Sequence, residues 1–284
     1  MHHLSLCAGI GGLDLGLKRA IPTLRTIAMV EREAFCIRHL ATKMEEGALD
    51  PCPIYHDLLQ FPWRKYRGIV DIVSGGFPCQ PFSVSGKQQS VNDERHLWPY
   101  IEKGLREIRP SVCFFENVDG ISRAKSPGYY SVLHHVLSDL EQMDYKTTAG
   151  CFTAEEVGAP HLRKRWFILG MADPNCSGLE EHGLHEPDST GQSGEVANAN
   201  SQGLEGRSQF AEQHTHQWPT GQGCPQGPNE PPRTNEPSVG GTANGVPSRV
   251  DRLRALGNAV VSQTAEKAYA YLVKELQLDP QRKD

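Results

Sequence analysis

The sequence lacks the features that mark membrane, secreted and zinc-binding proteins. No uninterrupted apolar stretch approaches the ~18 residues that a membrane-spanning helix needs. The first ten residues, MHHLSLCAGI, do not combine a basic region, an apolar run and a small-residue cleavage site. None of the eight cysteines forms a CxxC pair, which argues against a zinc site. We therefore predict reduced thiols, no metal, no membrane attachment and a cytoplasmic location.

An excess of positive charge, which would favour nucleic acid over the whole surface, is also missing. The formal net charge is −5. The densest basic stretches are Arg163-Lys164-Arg165 and the group of Arg249, Arg252 and Arg254. Because a run of charge is usually a solvated face, these stretches alone say little about phosphate contact.

The first 170 residues carry the pattern of an α/β fold. Strand-like runs alternate with helical patterns at 33–45, 97–108 and 130–143. The predicted strands are 3–8, 26–30, 54–55, 69–74, 112–115, 146–153 and 165–170. Such alternation is typical of a parallel sheet with crossover helices.

Composition changes abruptly after residue 171. Gly, Pro, Ser, Asn and Gln dominate 172–240, and such a segment buries little apolar surface by itself. Ordinary globular sequence then returns, and apolar residues over 258–276 follow a helical period. We predict a main domain at 1–171, a loop-rich region at 172–240 and a C-terminal segment at 241–284. The helix of that segment is expected to pack back on the main domain.

A glycine-rich turn and two acids follow the first three predicted strands. Cys7-Ala8-Gly9-Ile10-Gly11-Gly12 leads into a helical pattern, where glycine allows a ligand close to the positive end of a helix. Glu31 ends the next strand, where a carboxylate can bind ribose hydroxyls, and Asp57 can accept a hydrogen bond from an adenine amino group. Either acid alone is more often a solvated carboxylate. Together at consecutive strand ends they predict an adenosine-containing cofactor.

Cys79 lies in the stretch GGFPCQPFS at 75–83, directly after an apolar run. A lone cysteine is usually a small buried apolar residue. Here two prolines stiffen its loop, and the next strand ends in Glu116-Asn117-Val118. If those two strands are parallel neighbours, a thiolate and a carboxylic acid face one crevice, which gives a nucleophile and a proton donor.

These motifs resemble those of the DNA (cytosine-5) methyltransferases. GGFPCQPFS, Glu116-Asn117-Val118 and Arg163-Lys164-Arg165 are similar to the fourth, sixth and eighth motifs of that family. LCAGIGG is similar to the first motif and LGNAVV at 256–261 to the last. The resemblance covers about 1–171 and 247–276. It implies a Rossmann-like sheet with helices on both faces, S-adenosylmethionine as the cofactor and double-stranded DNA as the partner.

The resemblance also implies a role for each matched residue. The base would be rotated out of the duplex so that Cys79 can add to carbon 6 of cytosine. Glu116, with a raised pKa, would act at N3, and carbon 5 would receive the methyl group. Arg165 would hold the base at O2, and Arg163 would support the site or a neighbouring phosphate. The carbonyl group of Pro78 would bind the amino group of the target.

The cofactor contacts implied by the resemblance come from several separate segments. They are Cys7, Gly9, Ile10, Gly11, Gly12, Glu31, Asp57, Leu58, Pro78, Leu97, Asn258 and Ala259. Residues 83–95 would close over the site, and 172–240 would recognise the target sequence. A phage or restriction–modification enzyme of this kind is expected in the cytoplasm, at the nucleoid, as a monomer.

Three features depart from the family pattern. Cys7 replaces the usual phenylalanine, so looser packing against the cofactor is expected. His161 replaces the usual glutamine, which should alter orientation without abolishing activity. No convincing ninth motif follows 172–240.

Two alternatives to DNA methylation stay open. The same chemistry could act on transfer RNA, because relatives with the same motifs do so. The chain could also be a DNA-binding module without catalysis, although intact Cys79, Glu116 and the 9–12 turn argue against this.

Overall fold

A mixed seven-stranded sheet organises the computed structural model, which describes residues 1–78, 97–124, 126, 128–173 and 249–278. The strand order is β3-β2-β1-β4-β5-β7-β6. The strands are β1 (His2–Leu6), β2 (Arg25–Val30), β3 (Ile54–Tyr55), β4 (Ile72–Gly75), β5 (Val112–Val118), β6 (Tyr145–Thr153) and β7 (Lys164–Ala172). The α-helices are α1 (Gly12–Ala20), α2 (Ala34–Glu45), α3 (Trp98–Ile108), α4 (Val132–Glu141), α5 (Arg249–Asn258) and α6 (Ser262–Leu278).

Strands β1 to β5 are parallel, as the alternating pattern predicts. The central strand β4 is buried along its whole length, which suits a strand covered on both faces. It pairs with β1 on one side and with β5 on the other, where Ile72 lies opposite Val112 and Gly75 opposite Phe115. The carboxyl ends of β4 and β5 are therefore neighbours, as the argument about Cys79 and Glu116 requires.

The parallel arrangement that the alternating pattern indicates does not extend to the last two strands. β7 runs antiparallel to both β5 and β6. The connection from β6 to β7, residues 154–163, contains only the short 3-10 turn Glu155–Val157. A parallel pairing needs a crossover of a dozen or more residues, so this connection returns the chain as a hairpin.

Helices cover both faces of the sheet, as predicted. On one face, α3 and α4 form an apolar cluster with Val73 and Phe115. On the other face, α1 and α6 pack against Ile72 and Phe114. Successive residues of β4 and β5 therefore serve opposite layers, as the two-residue period of a strand requires.

The described part of the C-terminal segment, 249–278, contains two helices where the sequence predicts one helix over 258–276. The chain leaves the helix after Asn258 and re-enters it at Ser262. The break lies beside the start of α1, where a Cβ added at Gly12 would overlap the carbonyl oxygen of Val260. The predicted packing of this segment on the main domain is confirmed, since Ala265 and Leu272 share a core cluster with α1.

The described residues other than Asp173 belong to one unit. Residues 174–248 lie outside the described residues, so the predicted boundaries at 172 and 240 stay predictions. Within the described ranges, no helix is both long and apolar enough to cross a membrane.

Candidate active site

A cavity of about 1000 Å³ opens at the carboxyl ends of the parallel strands. Its walls come from the turn after β1, the end of β2, the loops after β3 and β4, the end of β5, and α5. In open α/β sheets, ligands bind at this edge. A second cavity of about 30 Å³ lies beside the start of α1.

The glycine turn after β1 forms the floor of both cavities. Cys7, Gly9 and Gly11 all have positive φ angles, of 51°, 57° and 81°. The turn and the start of α1 line the smaller cavity, with Ile10 and Gly12 among the lining residues. The conformation at Gly9 is one that L side chains rarely adopt, so this position favours glycine.

Cys7 keeps this unusual conformation although it is not a glycine. Its side chain is half-buried, packs against the main apolar cluster and lines both cavities. Burial, with a smaller contribution from the charge of Glu31, raises the pKa of the Cys7 thiol to about 12. Cys7 is therefore an apolar wall residue at neutral pH and not a nucleophile.

Glu31 is the most firmly held acid of the cavity. It is buried directly after β2, and its Oε2 accepts a hydrogen bond of 2.6 Å from the Gly9 N–H. Its Oε1 accepts one of 2.8 Å from the Glu33 N–H. Each carboxylate oxygen has two lone pairs, so both can still accept from a hydroxyl group. Glu31 is therefore fixed in position and remains an acceptor.

The loop after β3 supplies the next part of the wall. Asp57 Oδ1 accepts from the Leu59 N–H at 2.9 Å and begins the 3-10 turn Leu58–Gln60. Asp57 and the buried Leu58 line the larger cavity, and so do Pro78 and Leu97. These four predicted contacts therefore lie around the same cavity as Glu31.

Glu116 lines both cavities and lies near the end of β5. Only 6% of this residue is exposed, and its Oε1 lies 2.8 Å from Nε of Arg165. The antiparallel pairing of β5 with β7 sets Arg165 opposite Val118. Val118 lies two residues after Glu116, so the side chains of Glu116, Val118 and Arg165 are on the same face of the sheet. Burial raises the pKa of Glu116 to about 7, although Arg165 and then Arg163 oppose the rise. The carboxyl group is therefore partly protonated at neutral pH and can donate a proton.

Arg163 contacts the C-terminal segment. Its Nη2 donates to the carbonyl oxygen of Gly257 at 2.8 Å and also to that of Ala259. Gly257 and Asn258 line the larger cavity, and Asn258 and Ala259 line the smaller one. Arg163 therefore joins the turn before β7 to the wall formed by residues 257–259.

Asn117 has a structural role that the sequence reasoning missed. Its side chain is buried, and Nδ2 donates to the carbonyl oxygen of Phe77 at 2.9 Å. Its Oδ1 accepts from the Val118 N–H at 2.9 Å. Asn117 thus fixes the backbone just before Pro78 and Cys79. The only signal for it was its place beside Glu116 in the matched motif.

An ion pair missed by the sequence reasoning joins two walls of the cavity. Arg254 of α5 lies 2.9 Å from Oε1 of Glu33, whose backbone N–H also holds Glu31. Both side chains are more than 40% exposed, so the pair is accessible to water and salt.

The structure brings most of the predicted site residues together. Glu116 and Arg165 line the larger cavity, and Arg163 contacts its wall. Of the twelve predicted cofactor contacts, Gly11 differs, since it faces Leu40 and Leu49 and lines neither cavity. Cys79 and the 83–95 segment lie outside the described residues.

The sequence matches one protein family over most of its length. The model of that family, C-5 cytosine-specific DNA methylase, covers residues 1–230. The Type II methyltransferase M.NgoMIV of Neisseria gonorrhoeae is 31% identical over 168 residues, which are 59% of this chain and 51% of that protein. The Type II methyltransferase M.BanI of Aneurinibacillus aneurinilyticus is 31% identical over 178 residues, 59% of this chain and 38% of that protein. The chain thus spans about half the length of these relatives or less.

Solved structures show the same fold. A mutant of Spodoptera frugiperda DNMT2 superimposes with a TM-score of 0.51 at 20% identity, over 67% of this chain and 56% of that one. The Dnmt2 methyltransferase of S. pombe gives a TM-score of 0.51 at 19% identity, over 61% of this chain and 51% of that one. At these identities the likeness concerns the fold alone. The match over residues 1–230 decides the family: this chain belongs to the C-5 cytosine-specific DNA methylases.

Proposed function

We propose that the protein transfers a methyl group from S-adenosylmethionine to carbon 5 of a cytosine in double-stranded DNA. The observation that carries the proposal is the buried Glu116–Arg165 pair in the same cavity as Glu31. Glu116 is a proton donor whose pKa lies near neutral pH, and Glu31 is an acceptor suited to ribose hydroxyls. The names of the relatives, Type II methyltransferases, agree with this chemistry.

The residues of the cavity fit S-adenosylmethionine. Glu31 accepts at the end of β2, where ribose hydroxyls can donate to it. The start of α1 and the glycine turn offer a positive helix end to a carboxylate. A cavity of about 1000 Å³ is large enough for such a ligand. When bound, S-adenosylmethionine supplies a methyl carbon to carbon 5 and leaves as S-adenosylhomocysteine.

The protein residues make carbon 5 reactive and then restore the ring. The thiolate of Cys79 forms a bond to carbon 6, and the π pair of the carbon 5–carbon 6 double bond shifts to form a carbon 4–carbon 5 double bond. The π pair of the carbon 4–N3 double bond moves onto N3, which takes the proton of Glu116, so carbon 5 becomes an enamine carbon. After methylation, the proton on carbon 5 leaves to a water molecule, and the double bond re-forms as Cys79 leaves as a thiolate. N3 returns its proton to Glu116, so the enzyme ends as it began.

Arg165 supports this cycle by its charge. Its guanidinium lies against Glu116 and borders the cavity, so it orients the acid and can hold the O2 atom of the base. Asn117 keeps the backbone before Cys79 in place. A base inside a duplex cannot expose carbon 6 to a thiol, so the target must rotate out of the helix.

The same proposal covers the parts of the chain around this centre. Residues 83–95 close over the flipped base, and 172–240 read the target sequence. The enzyme acts as a monomer in the cytoplasm, at the nucleoid.

The test is transfer of a labelled methyl group to duplex DNA and, separately, to transfer RNA. We expect label in DNA, and bisulfite sequencing then locates the methylated cytosines. Duplex DNA with 5-fluorocytosine at the methylated position should trap a covalent complex, because fluorine cannot leave as the proton does. Cys79→Ser is the control and should form no complex. Label in transfer RNA alone would replace the proposed substrate, and no transfer to either would favour a module without catalysis.

A further inference from the structure

Residues 257–259 close one side of both cavities, and a side chain distant in sequence holds them there. They comprise the last two residues of α5 and the residue after it, where backbone carbonyl groups have no partner within the helix. Arg163 donates from Nη2 to two of these carbonyl oxygens, those of Gly257 and Ala259. The residue between them, Asn258, lines both cavities.

The surroundings of Arg163 favour the hydrogen bonds of its guanidinium to Gly257 and Ala259. The side chain is half-buried, and burial, followed by the charge of Arg165, lowers its pKa. A guanidinium partly removed from water is stabilised by acceptors close to it. Both hydrogen bonds of its guanidinium to described residues run to the wall at 257–259.

The residue that follows this wall, Val260, also packs against the start of α1. The carbonyl group of Val260 lies against the start of α1 so closely that Gly12 has no room for a Cβ. The wall therefore lies between α1, the helix that follows the glycine turn, and the guanidinium of Arg163. Loss of the guanidinium frees one of these two sides.

We propose that Arg163 is a positioning residue of the cofactor site, which holds 257–259 against the cavity so that Asn258 faces the cofactor. This inference rests on the proposed function, because it takes S-adenosylmethionine as the ligand. The resemblance leaves two roles open for Arg163, support of the site or a phosphate contact, and this inference selects the first, since it assigns the guanidinium to the protein's own backbone. Two charge-assisted hydrogen bonds are lost without it, so affinity for the cofactor should fall about tenfold or more.

The experiment measures binding of S-adenosylhomocysteine by calorimetry, without DNA, to the full chain and to Arg163→Met. Arg163→Lys tests rescue, because an ammonium can still donate to carbonyl oxygens over a shorter reach. Arg106→Gln is the matched control, since Arg106 is an exposed arginine of α3 that pairs with Glu102. Binding of duplex DNA to each protein is measured at several salt concentrations.

We expect the Kd for S-adenosylhomocysteine to rise about tenfold or more in Arg163→Met and less in Arg163→Lys, with Arg106→Gln unchanged. The salt slope of DNA binding should stay as in the unaltered chain, whereas loss of a phosphate contact would lower it by about one. A Kd within twofold of the unaltered chain in Arg163→Met would overturn the inference. If Arg163→Met does not fold, Arg163→Gln, which also removes the charge and shortens the side chain, decides by the same limit. Failure of the unaltered chain to bind S-adenosylhomocysteine would instead contradict the proposed function.

Discussion

Replacing Glu116 by glutamine should change how the stability of the protein depends on pH. Burial raises the pKa of this carboxyl from 4.5 to about 7. Because the folded state then holds its proton more tightly than the unfolded state, the contribution of Glu116 to stability is present below pH 4.5. It is lost as the pH rises to about 7 and the buried group ionises.

The size of this loss follows from the shift. Each pKa unit corresponds to 1.36 kcal/mol, so the rise from 4.5 to about 7 corresponds to about 3 kcal/mol. Glu116→Gln keeps the shape of the side chain but cannot ionise. The difference in unfolding free energy between this variant and the unaltered chain should therefore move by about 3 kcal/mol in favour of the variant between pH 4.5 and 8.

Urea unfolding at several pH values measures this difference directly. Glu102→Gln is the matched control, because Glu102 forms a surface pair with Arg106 on α3 and such pairs contribute only about 0–1 kcal/mol. Glu116→Gln should also abolish methyl transfer. Stability curves of Glu116→Gln and the unaltered chain that run parallel across this pH range would refute the assignment of a raised pKa.

Three further predictions concern Asn117 and Arg254 at the site and Asp14, a buried acid of α1. Asn117→Ala should lower covalent trapping by 5-fluorocytosine DNA at least tenfold, because the backbone before Cys79 loses its hydrogen bond to Asn117; gel assays would measure it. Arg254→Gln should raise the Kd for S-adenosylhomocysteine two- to fivefold at low salt and not at 1 M salt, since its pair with Glu33 is exposed. Burial raises the pKa of Asp14 to about 6, so the unfolding free energy of Asp14→Asn should gain about 3 kcal/mol over the unaltered chain between pH 4 and 8.

The sequence predicts the parts of the site that lie at strand ends. The glycine turn, Glu31 and Glu116 each follow an apolar run, and chain order alone brings such positions to one edge of a parallel sheet. The sequence pattern alone therefore predicts these residues.

The rest depends on contacts between distant parts of the chain. The direction of β7 depends on the short connection at 154–163, which the periodicity of the strand itself does not reveal. The hydrogen bond from Arg163 to Gly257 joins residues 94 positions apart. Helix α5 was missed because its sequence is rich in charged residues and carries only a weak apolar stripe.

The antiparallel hairpin of β6 and β7 has a consequence for how this sequence can diverge. Arg165 meets Glu116 because β5 and β7 pair in one alignment, in which side chains alternate between opposite faces. A single inserted or deleted residue within β7 would turn the guanidinium to the opposite side of the sheet. A length change in the turn at 154–163 would leave the pairing of β5 with β7 in this alignment. We therefore expect related sequences to differ in length at the turn 154–163. Within β7 we expect substitutions, because an insertion or deletion there would move Arg165 away from Glu116.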